Sequence, residues 1–193
     1  MKLLHVDSSI LGQNSASREL SAAIVARWQD AVPGLQVTYR DLDAAPLPHL
    51  SGGSLAGADA TEAAAAERAL QEFLEADVIV LGAPMYNFNI PSTLKAWIDR
   101  LAVAGRTFRY TENGPEGLAG GKQVIVAGAY GGFHPVDGGS NFIEPYLRFV
   151  FRFWGIEDVT FVTAEGLAVS PQQRSDSLAS AHAVIRTPLA EAA

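Results

Sequence analysis

The 193-residue chain has no cysteine. That absence excludes disulfides, thiolate metal sites and a cysteine nucleophile. No apolar run approaches the ~20 residues that span a bilayer. The N-terminal stretch MKLLHVDSS turns polar too soon for a secretory signal. These features lead to the expectation of a cytoplasmic protein with no membrane partner. Positive charge is also short, with 14 Lys and Arg against 21 Asp and Glu, a formal net charge of −7. A duplex binder needs a basic face, so no nucleic-acid partner is expected. An anionic small ligand stays possible, because a helix N-terminus holds a phosphate without Lys or Arg. No GxGxxG fingerprint follows the first apolar run, which disfavours a dinucleotide cradle. His5, His49, His134 and His182 show no metal-ligand spacing with the carboxylates, so no metal is expected.

What is present is an ordinary globular mix, 48% hydrophobic and 18% charged, in a length that fits one domain over residues 1–193. Short Val/Ile/Leu runs predict strands at 3–6, 35–40, 77–82, 123–127 and 159–163. Helical spacing predicts helices over 15–30, 61–74, from about Pro91 to Leu101, 141–154 and 170–185. Residues 43–57, rich in Pro, Gly and Ala, read as a long loop, and 107–114 as a small extended excursion with a turn. Strict alternation of strand and helix implies a parallel sheet covered on both faces. Five strands favour a three-layer α/β/α, flavodoxin-like fold with strand order 2-1-3-4-5. Ligands in such sheets sit at the strand carboxyl ends, which here gathers the loops 7–17, 83–91 and 128–136.

Each of those loops has chemistry. Ser8, Ser9, Ser15 and Ser17 stand before or within the first turn of a helix, where unpaired N–H groups and hydroxyls suit a phosphate. Ser15 alone reads equally as a helix cap, and Arg18 as extra charge or as a solvated helix residue. Met85, Tyr86, Asn87 and Phe88 offer apolar surface and hydrogen-bonding groups to a flat ring, although Met85 and Phe88 taken singly also suit a core. In the third loop, Gly131 and Gly132 allow close backbone approach, Tyr130 can stack on or edge a ring, and His134 can donate to its anionic edge or lie on the surface. Together they describe a site for a phosphate-bearing flat ring such as FMN. His5 is expected to be structural.

These residues carry a resemblance that runs nearly end to end. The chain resembles the bacterial FMN-dependent NADH:quinone oxidoreductases, also called FMN-dependent azoreductases. The resemblance rests on SSIL at 8–11, SAS at 15–17, APMYNFNIPSTLKAWID at 83–99, TFRYTENGPEGL at 107–118 and the glycine pair 131–132. It implies a homodimer holding FMN non-covalently near the subunit interface. It also implies NADH or NADPH as donor, and two-electron ping-pong transfer to quinones and azo compounds. By resemblance, Ser9, Ser15, Ala16 and Ser17 hold the phosphate, and Met85, Tyr86, Asn87 and Phe88 follow the ring and ribityl chain. Ala129, Tyr130, Gly131 and Gly132 line the other edge. His134 and Tyr130 are the catalytic candidates. The family commonly has Ser-Arg where this chain has Ala129-Tyr130.

The stretch Asn141–Trp154 carries apolar residues on more than one helix face, including Phe142, Phe149 and Phe153. Such a helix needs a second partner: another subunit, or the 107–118 excursion packed over it. The rival function is an electron-transfer flavodoxin without an organic substrate. The 43–57 loop and the 107–118 excursion favour the enzyme, because they can wall a substrate pocket.

Overall fold

A computed structural model of the chain describes residues 1–137 and 139–186. Five strands form one parallel sheet: β1 (Lys2–Asp7), β2 (Gln36–Asp41), β3 (Val78–Pro84), β6 (Gln123–Ala129) and β7 (Asp158–Ala164). Their order is β2-β1-β3-β6-β7, the order expected when the sheet strands alone are counted. Between β3 and β6 a separate antiparallel hairpin intervenes, β4 (Phe108–Thr111) with β5 (Gly114–Gly117). The helices are α1 (Ala16–Ala31), α2 (Gly52–Leu55), α3 (Ala60–Glu75), α4 (Ser92–Leu101), α5 (Ile143–Phe153) and α6 (Pro171–Ala183).

The period-two pleat sorts each strand between two cores. Leu4, Val6, Ile79, Leu81, Val124 and Val126 point into a core shared with Leu70, Phe73, Leu94, Trp97, Leu147 and Phe151 of α3, α4 and α5. Their alternate neighbours Leu3, Val78, Val80, Ile125 and Ala127 pack on Leu20, Ile24, Trp28 and Leu178 of α1 and α6. These are the three layers. β3 is buried along its whole length, which explains why its sequence shows no alternation.

Two expectations are refined. The 43–57 loop contains the single turn α2, capped reciprocally by Ser51 and Ser54. Leu47 is buried, and the Arg100 guanidinium donates to the Pro48 carbonyl at 2.8 Å, so the loop is pinned to α4. The 107–118 excursion is the β4–β5 hairpin, with Arg109 and Glu116 paired across it at 2.8 Å. It docks on the end of α5 so closely that a Cβ on Gly117 would stand 2.1 Å from the Gly155 nitrogen. Among the described residues, no helix is long and apolar enough to cross a membrane, and no group of side chains could hold a metal ion.

Candidate functional site

The loop after β1 ends in a short 3₁₀ turn, Gly12–Asn14, and then α1. Ser15 caps α1 by accepting from the Arg18 N–H at 3.3 Å, so the capping reading holds. Capping does not use up the serines. Ser15 Oγ and Ser17 Oγ lie 3.0 Å apart, and the Ala16 and Ser17 N–H groups have no acceptor among the described residues. Ser9, Ser15 and Ser17 are all buried. Clustered neutral donors at a helix N-terminus are the composition of an anion cradle. Ser8 does not join it, because its hydroxyl donates to the Gly82 carbonyl at 2.7 Å and locks the loop onto β3.

The loop after β3 meets the first one directly. The Tyr86 hydroxyl lies 3.2 Å from Ser9 Oγ and accepts from the Ile10 N–H at 3.1 Å. Tyr86 and Asn89 exchange backbone hydrogen bonds of 2.9 and 3.1 Å around a two-residue turn. Its central residues are Asn87 at φ 50° and Phe88 at φ 69°. Asparagine tolerates the left-handed region, but a phenylalanine there is strained. The strain presents the Phe88 ring outward, 52% exposed, rather than into the core. Met85 is partly buried against the α3–α5 core, and its N–H donates to the Ala129 carbonyl at 3.0 Å, which joins the second loop to the third.

The third loop splits its expected residues. The structure brings His134 to the second loop: its ring lies edge-on to Phe88, with centroids 5.8 Å apart. The Glu165 carboxylate accepts from the His134 backbone N–H at 3.1 Å, and Nδ1 is 2.7 Å from Ser140 Oγ, so the backbone and the ring are each held by one partner. The Gly131 and Gly132 carbonyls accept from Ala168 and Gly166, both at 2.9 Å. Tyr130 is a correction. Its side chain is 1% exposed in the α3–α5 core, with no free face for a flat ligand to stack on. Its hydroxyl is buried over Gly128, beside Thr163. Burial pushes the phenol up to about 12. Tyr130 is therefore a packing residue beneath the glycines, edge-on to His134 at 6.2 Å.

Sequence reasoning missed the partners of Arg18. Its guanidinium touches none of the serine hydroxyls and is largely shielded from solvent. Nε and Nη2 donate to the Ser9 carbonyl at 3.2 and 2.8 Å, Nη1 and Nη2 fork onto the Asp41 carboxylate at 2.7 and 2.8 Å, and Nη1 also donates to the Tyr39 hydroxyl at 3.0 Å. The Arg18 fork holds the Asp41 carboxyl below its usual range. Behind it, the Ser21 hydroxyl donates to Asp7 at 2.8 Å and lies 2.9 Å from His5 Nε2, so His5 is structural as expected. The one sequence signal for this network was a run of polar residues, His5, Asp7 and Ser21, on a face otherwise apolar.

A family model described as flavodoxin-like fold matches residues 1–189. The chain is 63% identical over 185 residues, 96% of its length and 94% of the relative's, to an FMN-dependent NADH:quinone oxidoreductase of Stenotrophomonas maltophilia. It is 65% identical over 181 residues to an FMN-dependent NADH:quinone oxidoreductase 1 of Xanthomonas axonopodis pv. citri, covering 94% of this chain and 93% of that one. Among solved structures it is similar to an FMN-dependent NADH-azoreductase from Bacillus anthracis in complex with FMN. That similarity has a TM-score of 0.84 and 27% identity over 95% of each chain.

Proposed function

The chain belongs to the FMN-dependent NADH:quinone oxidoreductase family, of flavodoxin-like fold, and on that premise we propose that it reduces quinones and cleaves aromatic azo bonds with NADH or NADPH through non-covalently bound FMN. The observation that carries this reading is the junction of three loops at the strand carboxyl ends, where a cradle of clustered serine hydroxyls and unpartnered N–H groups adjoins a strained turn that holds Phe88 outward. An apolar ring with a phosphate tail fits that pairing, and no cationic side chain is needed to hold the phosphate.

When bound, FMN supplies the two-electron chemistry between nicotinamide nucleotide and acceptor. The protein's residues bind and orient. Ser9, Ser15, Ala16 and Ser17 hold the phosphate through hydroxyl and backbone donors. Met85, Tyr86, Asn87 and Phe88 would follow the ribityl chain and the ring, and Ala129, Gly131 and Gly132 would offer backbone to its other edge. His134, its ring held by Ser140 and its backbone N–H by Glu165, would supply an imidazole donor to stabilise negative charge added to the bound ring. Donor and acceptor would occupy the same site in turn. A quinone takes two electrons and two protons in one round, and an azo bond needs two rounds to reach two amines.

We further propose that residues 1–193 form one FMN-binding unit that works as a cytoplasmic homodimer. Phe142 and Phe149, 55% and 71% exposed at the start and on the outer face of α5, lie on the side of the hairpin docking that leaves them uncovered, and a second subunit would cover them. Steady-state kinetics with NADH and NADPH against a panel of quinones and azo dyes tests the activity. Parallel double-reciprocal lines are expected for one shared face. Reduction of the bound flavin by neither nucleotide would instead favour an electron carrier.

A further inference from the structure

The Arg18 network has a consequence for ligand binding, and this inference rests on the FMN reading. A trans peptide aims its C=O and the following N–H in opposite directions. Two N–H groups of Arg18 pull the Ser9 carbonyl toward β2, so the Ile10 N–H is turned the other way, onto the Tyr86 hydroxyl, which itself lies 3.2 Å from Ser9 Oγ of the cradle. All five guanidinium N–H groups are engaged, by Ser9, Asp41 and Tyr39. Arg18 thus has no donor left for a phosphate, and Asp41 neutralises its charge at 2.7 Å. The fork geometry is specific to arginine, since a lysine ammonium is a point donor that cannot span the carbonyl and both carboxylate oxygens.

We propose that Arg18 is a positioning residue for the phosphate monoester of FMN: braced by Asp41 and Tyr39, it fixes the Ser9–Ile10 peptide and with it the Ser9 hydroxyl of the cradle, without touching the ligand. The brace acts only where the phosphate binds. Loss of Arg18 therefore weakens FMN and leaves riboflavin, which has the same ring and ribityl chain but no phosphate, unaffected. A merely structural arginine would weaken both.

The test titrates the flavin-free protein with FMN and with riboflavin, following fluorescence quenching, for the wild type and for Arg18→Met, Arg18→Lys and Asp41→Asn. Arg18→Met is expected to raise the Kd for FMN about tenfold, the weight of one donor at 1.4 kcal/mol per tenfold, with the Kd for riboflavin changed less than about twofold. Arg18→Lys should recover little of the loss, and Asp41→Asn should show the same split more weakly. Equal weakening of both flavins, or no weakening of FMN, would overturn the proposal. A wild type that binds neither flavin would instead remove the FMN reading itself. If Arg18→Met fails to fold, Asp41→Asn and Tyr39→Phe, which keep the guanidinium but loosen it, carry the same comparison.

Discussion

Replacing Phe88 separates backbone strain from side-chain packing. Phe88 sits at φ 69° and is 52% exposed. A left-handed conformation costs a non-glycine residue about 1–2 kcal/mol. Fully burying a phenylalanine is worth about 1.5–3 kcal/mol, so a half-exposed ring contributes about 1. Phe88→Ala loses that packing and keeps the strain, for a net loss of about 1 kcal/mol. Phe88→Gly loses the same packing but relieves the strain, against about 0.5–1 kcal/mol of added chain entropy. The glycine variant should therefore equal or exceed the alanine variant by about 0.5–1 kcal/mol. In a chain of this size that is about 1–4 °C in Tm. The ordinary order in regular structure is the reverse. Urea unfolding of the two flavin-free variants, followed by circular dichroism, measures the difference. An alanine variant clearly more stable than the glycine one would refute the claim of strain. Both variants should bind FMN more weakly than the wild type, because neither offers a ring.

Three further outcomes follow from the same kind of reasoning. Gly117→Ala puts a methyl 2.1 Å from the Gly155 nitrogen and 2.2 Å from the Trp154 carbonyl carbon; backbone cannot step aside cheaply, so a loss of about 3 kcal/mol is expected in urea unfolding. Tyr130→Phe should change stability by less than about 1 kcal/mol at pH 7, because the buried hydroxyl it removes makes no close hydrogen bond. Tyr130 also sets an alkaline limit: its folded value, pushed up to about 12, exceeds the unfolded value of about 10, so its contribution is complete below pH ~10 and is lost as pH rises toward 12. Tyr130→Phe should flatten that part of the stability curve. Phe149→Glu, on the exposed face of α5, should shift the particle toward monomer by light scattering while flavin-free unfolding is little changed.

The sheet was legible because β3 and β6 are continuous apolar runs that only a strand buried on both faces explains. The site's place followed from topology, and the serines and the MYNF run gave it chemistry. What escaped depended on single-residue geometry. Tyr130 follows β6, where a shift of one position decides between core and site, and the pattern around it does not choose. The turn at Asn87-Phe88 lacks the glycine that usually announces positive φ, so its strain was invisible. α2 is four residues with two glycines, formed by the Ser51–Ser54 cap and the anchoring of Leu47 rather than by propensity.

Arg18 shows the same limit and also what lies behind it. Its partners, Ser9 and Asp41, are 9 and 23 positions away and converge only because β2 lies beside β1. The sheet order that creates the ligand crevice between β1 and β3 also puts β2 on the far side of β1, within reach of α1's first turn. One arginine there can tie β2 to the first loop while its charge is cancelled by Asp41. The cradle is left with neutral donors and the helix terminus, which on the proposed reading would bind a phosphate by direction rather than by net charge. That arrangement reconciles a chain of net charge −7 with an anionic cofactor: long-range attraction is dispensable once the donors are fixed in place, and fixing them is the work of the residue that first looked like the missing counter-charge.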